Sequence, residues 1–193
     1  MTKKRLTTLE YALLGLIGIS PMTGYDIHKL FETTPFGHFS SSPGAIYPAL
    51  NRLARRSLLR TSLDKKKEAR PRRIYALTKT GEEALSAWLS QPVTRDELIR
   101  MSGAPILRFN FAKDRLSIEE ILTYLEGYHR VVASYIDELL SYDDQLKAPE
   151  MYHNRLALDH GIRRYRSELE WVRSATAVFK RVRRSPRKYK EAR

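Results

Sequence analysis

Hydrophobic positions in the first third of the chain recur at helical spacing in three short runs. Leu9, Ala12, Leu13, Leu16 and Ile17 predict a helix over residues 8–19 with one buried face, closed by Gly18 and Ser20-Pro21. Thr7 and Glu10 stand at capping-box spacing ahead of it, so that hydroxyl and carboxylate can each accept a backbone N–H of the first turn. Thr23 and Asp26 repeat that spacing before a second run, Tyr25, Ile27, Leu30 and Phe31, which ends before Pro35. A loop with Phe36, Gly37, His38 and Phe39 leads to the third run, over residues 41–56. Ser41 or Ser42 can cap this helix, and Pro43 suits its first position because its missing N–H has no partner to lose there. Ile46, Leu50, Leu53 and Ala54 form its apolar stripe, while Gly44, Tyr47, Pro48, Asn51 and Arg55 form a second stripe with Arg52 beside it.

After Leu58-Leu59 the period changes. Residues 59–63 and 74–77 read as two strands, and the tip between them carries six basic residues against two acidic over 64–73. A fourth helix begins at Thr78, presents Leu85, Trp88 and Leu89, and stops at Pro92. The stretch 96–112 carries Leu98, Ile99, Met101, Ile106, Leu107, Phe109 and Phe111, and Gly103-Ala104-Pro105 predicts a break in it. Two long helices follow. The first opens on Ser117 and Glu120, again at capping-box spacing, and repeats Ile118, Leu125, Val132, Leu139 and Leu146 every seventh residue. Ile121 or Leu122, Tyr128, Tyr135 or Ile136, and Tyr142 fill the intervals. Beyond a turn at 147–150, Leu158, Ile162, Tyr165, Leu169, Val172, Thr176 and Phe179 alternate spacings of four and three. These stripes predict an antiparallel hairpin of helices about 30 residues long, each ~45 Å. A lone hairpin encloses two such stripes poorly. Pairing with a second copy would enclose them, which predicts a two-fold homodimer; the alternative is a monomeric all-helical domain.

The predicted fold class is therefore mainly α with a small β-hairpin wing. Residues 1–92 form a winged helix-turn-helix, 93–180 a helical dimerisation domain, and 181–193 a basic tail read as a disordered arm or a frayed, solvated end.

Charge sharpens the picture. The formal net charge is +13, distributed as +8 over residues 1–92, −2 over 93–179 and +7 over 180–193. Solubility would explain the total but not the segregation, which suits a polyanion whose counterions are released at Lys and Arg. The second stripe of the third helix has two readings. It is a solvated polar face, or it is a recognition face offering hydroxyl, amide and guanidinium groups to phosphates and base edges. The cationic hairpin that follows favours recognition, as a wing beside the helix.

Other chemistry is sparse. There is no cysteine, which fits a reducing cytoplasm and removes disulfides and thiolate ligands. The five histidines, His28, His38, His129, His153 and His160, form no H-x-x-x-H pair, and neither a P-loop nor a G-x-G-x-x-G is present. No enzyme, metal or cofactor is expected. No apolar run reaches transmembrane length, and Glu10 interrupts the apolar segment behind the basic start, against a signal peptide.

The segments 6–16, Thr23-Gly24-Tyr25-Asp26-Ile27, Ser42-Pro43-Gly44-Ala45-Ile46-Tyr47-Pro48-Ala49-Leu50 and 73–81 together resemble the PadR family of transcriptional regulators. The combination of G-x-[IL]-Y-P-x-L in a helix with Y-x-[LI]-T-x-x-G on a wing strand carries the resemblance. Looser similarity in the second half, at Asp96-Glu97-Leu98, Phe109-Asn110-Phe111-Ala112 and Glu168-Leu169-Glu170-Trp171, resembles the longer subfamily with a C-terminal region like that of virulence-gene activators. Members of that subfamily tend to be continuously helical where this chain has Gly103-Ala104-Pro105.

The resemblance implies DNA contacts at Tyr25, Ser41, Ser42, Gly44, Tyr47 and Asn51 and at wing cations. Arg52 and Arg55 are added by helix geometry, and Lys66, Arg70 and Arg72 by charge. Core packing with the hydroxyl at the rim is the alternative for Tyr25 and Tyr47. The expected function is a homodimeric, sequence-specific regulator of transcription, a repressor on a near-palindromic stretch of double-stranded DNA. The alternatives are a regulator that senses a phenolic or other flat aromatic effector, or a winged-helix module that binds only protein, against which the wing cations argue. Trp88, Phe109, Phe111 and Trp171 are the candidate effector aromatics, core packing being their ordinary use.

Overall fold

The computed structural model describes residues 5–34, 43–64, 72–101, 103–143 and 151–184. Ser41, Ser42, Lys66, Arg70, the wing tip, Leu146, the 147–150 turn and the end of the tail lie outside the described residues. The chain divides into two compact units, Met1–Leu89 and Ser90–Arg193.

The first unit contains α1 (Thr8–Ile19), β1 (Met22–Thr23), α2 (Gly24–Thr33), α3 (Pro43–Arg55), β2 (Leu59–Asp64), β3 (Arg72–Leu77) and α4 (Lys79–Leu89). Both expected capping boxes form. The Thr7 N–H donates to Glu10 Oε2 at 2.9 Å and the Thr23 N–H to Asp26 Oδ2 at 3.0 Å, with the reciprocal bonds in place. α1 is buried on more sides than its stripe predicts, because Leu14 and Gly15 are enclosed along with Leu13, Leu16 and Ile17. A helix apolar all round belongs inside a core, and here the sheet and α3 and α4 surround it.

The antiparallel sheet has the order β1-β3-β2, with Leu59 opposite Leu77 and Asp64 opposite Arg72. β1 escaped the sequence reading. Two residues carry no period, and Met22 and Thr23 become a strand only because Tyr75 and Ile74 of β3 pair with them. Beneath the sheet, Ile27, Phe31, Ile46, Leu50, Leu53, Leu85 and Trp88 are almost wholly buried. Each such side chain contributes about 1.5–3 kcal/mol relative to exposure.

The end of α3 fixes the start of the wing. Ser57 adopts φ 57°, the Ser57 N–H donates to the Ala54 carbonyl at 2.9 Å, and the Leu58 N–H to the Leu53 carbonyl at 3.0 Å. This is a Schellman termination with serine where glycine is preferred. Thr78 then ties the wing's return strand to that turn. Its hydroxyl donates to the Ser57 carbonyl at 2.7 Å, and its oxygen accepts the Gly81 N–H at 3.0 Å. Gly81 is required here because a Cβ would lie 2.1 Å from the Leu58 carbonyl oxygen.

The second unit contains α5 (Arg95–Arg100), α6 (Ala104–Phe111), α7 (Ile118–Asp143) and α8 (Tyr152–Arg184). The break between α5 and α6 falls where Gly103 takes φ 89°, and Pro105 sits in the first turn of α6. The third capping box also forms, with the Glu120 N–H donating to Ser117 Oγ at 3.2 Å. α7 and α8 pack as the expected hairpin around Leu125, Tyr128, Val132, Ile136, Tyr165 and Val172. The seam loosens toward the turn, where Leu140, Tyr142, Tyr152 and Leu156 are exposed.

A buried polar core was not anticipated. Arg108 and Glu97, both at least 95% buried, form an ion pair, and Arg108 also donates to the Gln91 carbonyl at 2.9 Å. The Tyr124 hydroxyl donates to the Pro105 carbonyl at 2.8 Å, and Tyr128 donates to Glu168. Burial above all, with the carboxylates around them, pushes both phenols far above their ordinary range, so they act as fixed donors.

The Schellman geometry generates a prediction. Ser57→Gly removes a left-handed strain of about 1–2 kcal/mol while adding glycine's chain entropy. The expected net gain is about 0.5–1 kcal/mol, seen as a rise of a few degrees in the thermal midpoint.

Candidate nucleic-acid interface

α3 keeps its two predicted faces apart. Ile46, Ala49, Leu50 and Leu53 are buried, while Gly44, Tyr47, Pro48, Asn51, Arg52 and Arg55 are exposed. Tyr47 is 42% exposed, and its ring lies against the first turn of α2: a Cβ added at Gly24 would stand 2.5 Å from Tyr47 Cε1. The absence of a side chain at Gly24 is thus what lets the phenol settle, and the Tyr47 hydroxyl has no partner among the described residues.

Tyr25, the next residue of α2, is 54% exposed, and the Arg72 guanidinium of β3 lies 5.0 Å from its ring centroid. Stacking of this kind contributes about 0.5–1 kcal/mol at an exposed site and orients the cation. Neither tyrosine is a core residue. Together α2, α3 and the base of the wing present Tyr25, Tyr47, Asn51, Arg55 and Arg72 to solvent. The polar stripe that the sequence marks on one helix joins two further elements, through Gly24 and through the Arg72–Tyr25 stack.

Arg52 is placed differently. Its Nε donates to Glu10 Oε1 at 2.8 Å, so this guanidinium ties α3 to the N-terminus of α1. Glu10 is 3% exposed, and its other oxygen caps α1. Burial by itself pushes the Glu10 carboxyl up. The Thr7 N–H and the Arg52 guanidinium outweigh that and hold it below its ordinary value. Apolar spacing gave no sign of this pair, because its partners are 42 residues apart.

Residues 13–87 match the family model described as the transcriptional regulator PadR-like family, and residues 110–180 match the one described as virulence activator alpha C-term. Residues 13–87 thus carry a PadR-like domain, and residues 110–180 a C-terminal region similar to that of the virulence activators. The chain is 26% identical over 197 residues to the negative transcriptional regulator PadR of Bacillus subtilis (strain 168), covering 90% of the chain and 98% of that protein. It is also similar to two crystal structures of Bacillus subtilis PadR. The one in complex with operator DNA has TM-score 0.43 and 22% identity, over 91% of this chain and 99% of that one. The one in complex with p-coumaric acid has TM-score 0.39 and 24% identity, over 90% and 99%.

The four candidate effector aromatics divide between the two units. Trp88 is buried in the first unit, stacked on Tyr11 at 4.4 Å. The other three belong to the second unit. There Phe111 is 4% exposed, and Phe109 meets Trp171 edge-on at 5.2 Å and Phe179 at 5.8 Å. These rings serve one another as packing partners. Among the described residues no cluster of His, Cys, Asp or Glu could hold a metal, and no helix is long and apolar enough to cross a membrane.

The Glu10 pair generates a pH prediction. A carboxyl depressed on folding adds stability above its ordinary value of 4.5 and loses it as pH falls through the folded value. Glu10→Gln should cost about 1–2 kcal/mol at neutral pH. Denaturant unfolding at a series of pH values should show the gap between wild type and variant shrinking on acidification. A gap that widens toward acid would mean the pair has been read with the wrong sign.

Proposed function

We propose that this regulator binds double-stranded DNA as a homodimer, with α3 in the major groove and the wing at the flanking backbone, and represses transcription by occupying a near-palindromic operator. The observation that carries the reading is the exposed Gly44–Tyr47–Asn51–Arg55 stripe, backed by a wholly apolar opposite face. Asn51 and Arg55 have the donor–acceptor chemistry of base edges and phosphates. Tyr47 reaches backbone or sugar through its hydroxyl, and Gly44 permits close approach at the helix start. Tyr25 and Arg72 belong to the backbone-contacting set, and Ser41, Ser42, Lys66 and Arg70 are assigned to it on sequence alone. Arg52 acts first through Glu10, holding α3 in place.

Dimerisation is supported by the apolar side chains left uncovered along the hairpin, Leu140, Tyr142, Tyr152 and Leu156. A two-fold pair of reading heads would meet half-sites ~34 Å apart. Repression is supported by the relative named as a negative transcriptional regulator. Absence of enzymatic activity and a cytoplasmic location belong to the same reading, as does the division of labour between a DNA-binding domain at 1–92 and a dimerising one at 93–180. A second reading adds an aromatic effector beside the half-buried Phe109–Trp171–Phe179 group. Quenching of tryptophan fluorescence by p-coumarate, with release of bound DNA, would support it.

Selection of bound sequences from a random DNA pool tests the main reading, and a symmetric pair of half-sites is expected. Tyr47→Ala and Asn51→Ala should each weaken the selected site by about 1–3 kcal/mol. Gly24→Ala should do the same with little change in melting, because its methyl displaces only the Tyr47 ring. Arg72→Ala should weaken all DNA alike and lower the salt slope by about one unit. An unchanged slope would remove the wing from the interface.

A further inference from the structure

The α7–α8 hairpin carries charge that the reading of α3 leaves unused. An open groove of about 500 Å³ crosses the two helices, with Glu126, His129 and Arg130 of α7 facing Arg173 and Lys180 of α8. Arg173 Nε donates to His129 Nε2 at 3.3 Å, so the imidazole turns its lone pair toward the guanidinium. Among the described residues no carboxylate stands within ion-pair distance of Arg130, Arg173 or Lys180, and Glu126 is the one acid on the groove wall. Ala177, between the two α8 cations, adds no bulk.

The stripe outruns the groove. Arg173, Ala177, Lys180 and Arg184 follow one another at spacings of four, three and four, which places them on a single face of α8, and all four are exposed. Arg173 and Arg184 are then ~16 Å apart along the axis. The helix macrodipole accounts for cations in the last turn of α8 but reaches no further than that turn. Arg173, three turns earlier, and Arg130 on the other helix need another explanation. Arg130 and Arg173 lie in the stretch 93–179, whose net charge is −2, and Lys180 and Arg184 open the stretch of +7 that follows it.

We propose that this stripe binds the phosphodiester backbone of double-stranded DNA outside the half-sites read by α3. The proposal rests on the DNA-binding reading given above. The shape of the site selects the partner. The groove is open and runs on into a line of cations along α8. A discrete anion would use one end of such a line, whereas a strand with a phosphate every ~3.4 Å offers a charge to each member. The contact is sequence-independent. It adds affinity and salt dependence without altering which operator is chosen.

The test compares full-length wild type with the triple variant Arg173→Gln, Lys180→Gln, Arg184→Gln. Two duplexes are used, the minimal selected operator and the same operator with one extra helical turn on each side. Wild type should bind the longer duplex more tightly and with a steeper salt slope. The triple variant should match wild type on the minimal operator, lose the gain from the flanks, and show a slope lower by about 2–3 units. Glu126→Gln, which removes the opposing carboxylate, should strengthen binding to the longer duplex, a gain that misfolding cannot imitate. A triple variant that keeps both flank gain and slope overturns the proposal. So does one whose mass by sedimentation shows a lost dimer, since the stripe would then join copies of the chain. Calorimetric binding of inorganic phosphate by wild type but not by the variant, with equal DNA slopes, would make it a small-anion site and also overturns it. If Tyr47→Ala binds the selected operator as well as wild type, the α3 reading falls. The slope comparison on random-sequence duplex then still judges the stripe.

Discussion

The first unit depends on what happens at one buried carboxylate. Glu10 caps the helix it belongs to with one oxygen and receives Arg52 of α3 with the other. A buried charge is tolerable only when both oxygens are satisfied, so the arrangement constrains two helices at once. α1 cannot shift along its axis without uncapping itself, and α3 cannot rotate without stranding the carboxylate. The rotation of α3 matters because its faces have opposite chemistry. A turn that exposed Ile46 or Leu50 would also bury Tyr47 and Asn51. The apolar stripe sets this orientation coarsely, and the ion pair sets it finely.

Around that fixed helix, small residues do the placing. Gly24 leaves room for the Tyr47 ring, and Gly81 leaves room for the Leu58 carbonyl. The first settles the Tyr47 side chain on the exposed face of α3. The second lets α4 and the Thr78 hydroxyl clamp the turn from which the wing departs. Neither glycine is at positive φ, so what each contributes is the absence of a Cβ, not a special backbone conformation.

The second unit solves a different problem. Its two long helices bury an aliphatic and aromatic seam that Leu98 of α5 joins, and polar contacts also hold the short helices α5 and α6. Arg108 gathers Glu97 and the carbonyl of Gln91, while Tyr124 takes the carbonyl of Pro105. Buried side chains thus donate to backbone carbonyls of the two proline-bearing stretches, at Gln91 and Pro92 and at Pro105. Outside, the hairpin shows uncovered apolar residues toward its turn and a line of cations toward the end of α8. These are surfaces of opposite character on one pair of helices, and they suit different partners.

Much of this was legible in the sequence. Three capping boxes, the two-faced α3, the alternating wing strands, the break at Gly103 and the heptad seam all come from interactions within a few residues, where local spacing is the cause. Composition and charge segregation pointed to a polyanion for the same reason, since they need no coordinates. Tertiary structure decided the rest. β1 exists because β3 pairs with it, Arg52 turns to Glu10, Arg72 stacks on Tyr25, and Trp88 stacks on Tyr11. Each joins residues distant in the chain, and the contact energy that selects it arises only once the elements are packed. Spacing along a sequence reports which face a side chain occupies; what waits on the other side of that face is settled by the fold.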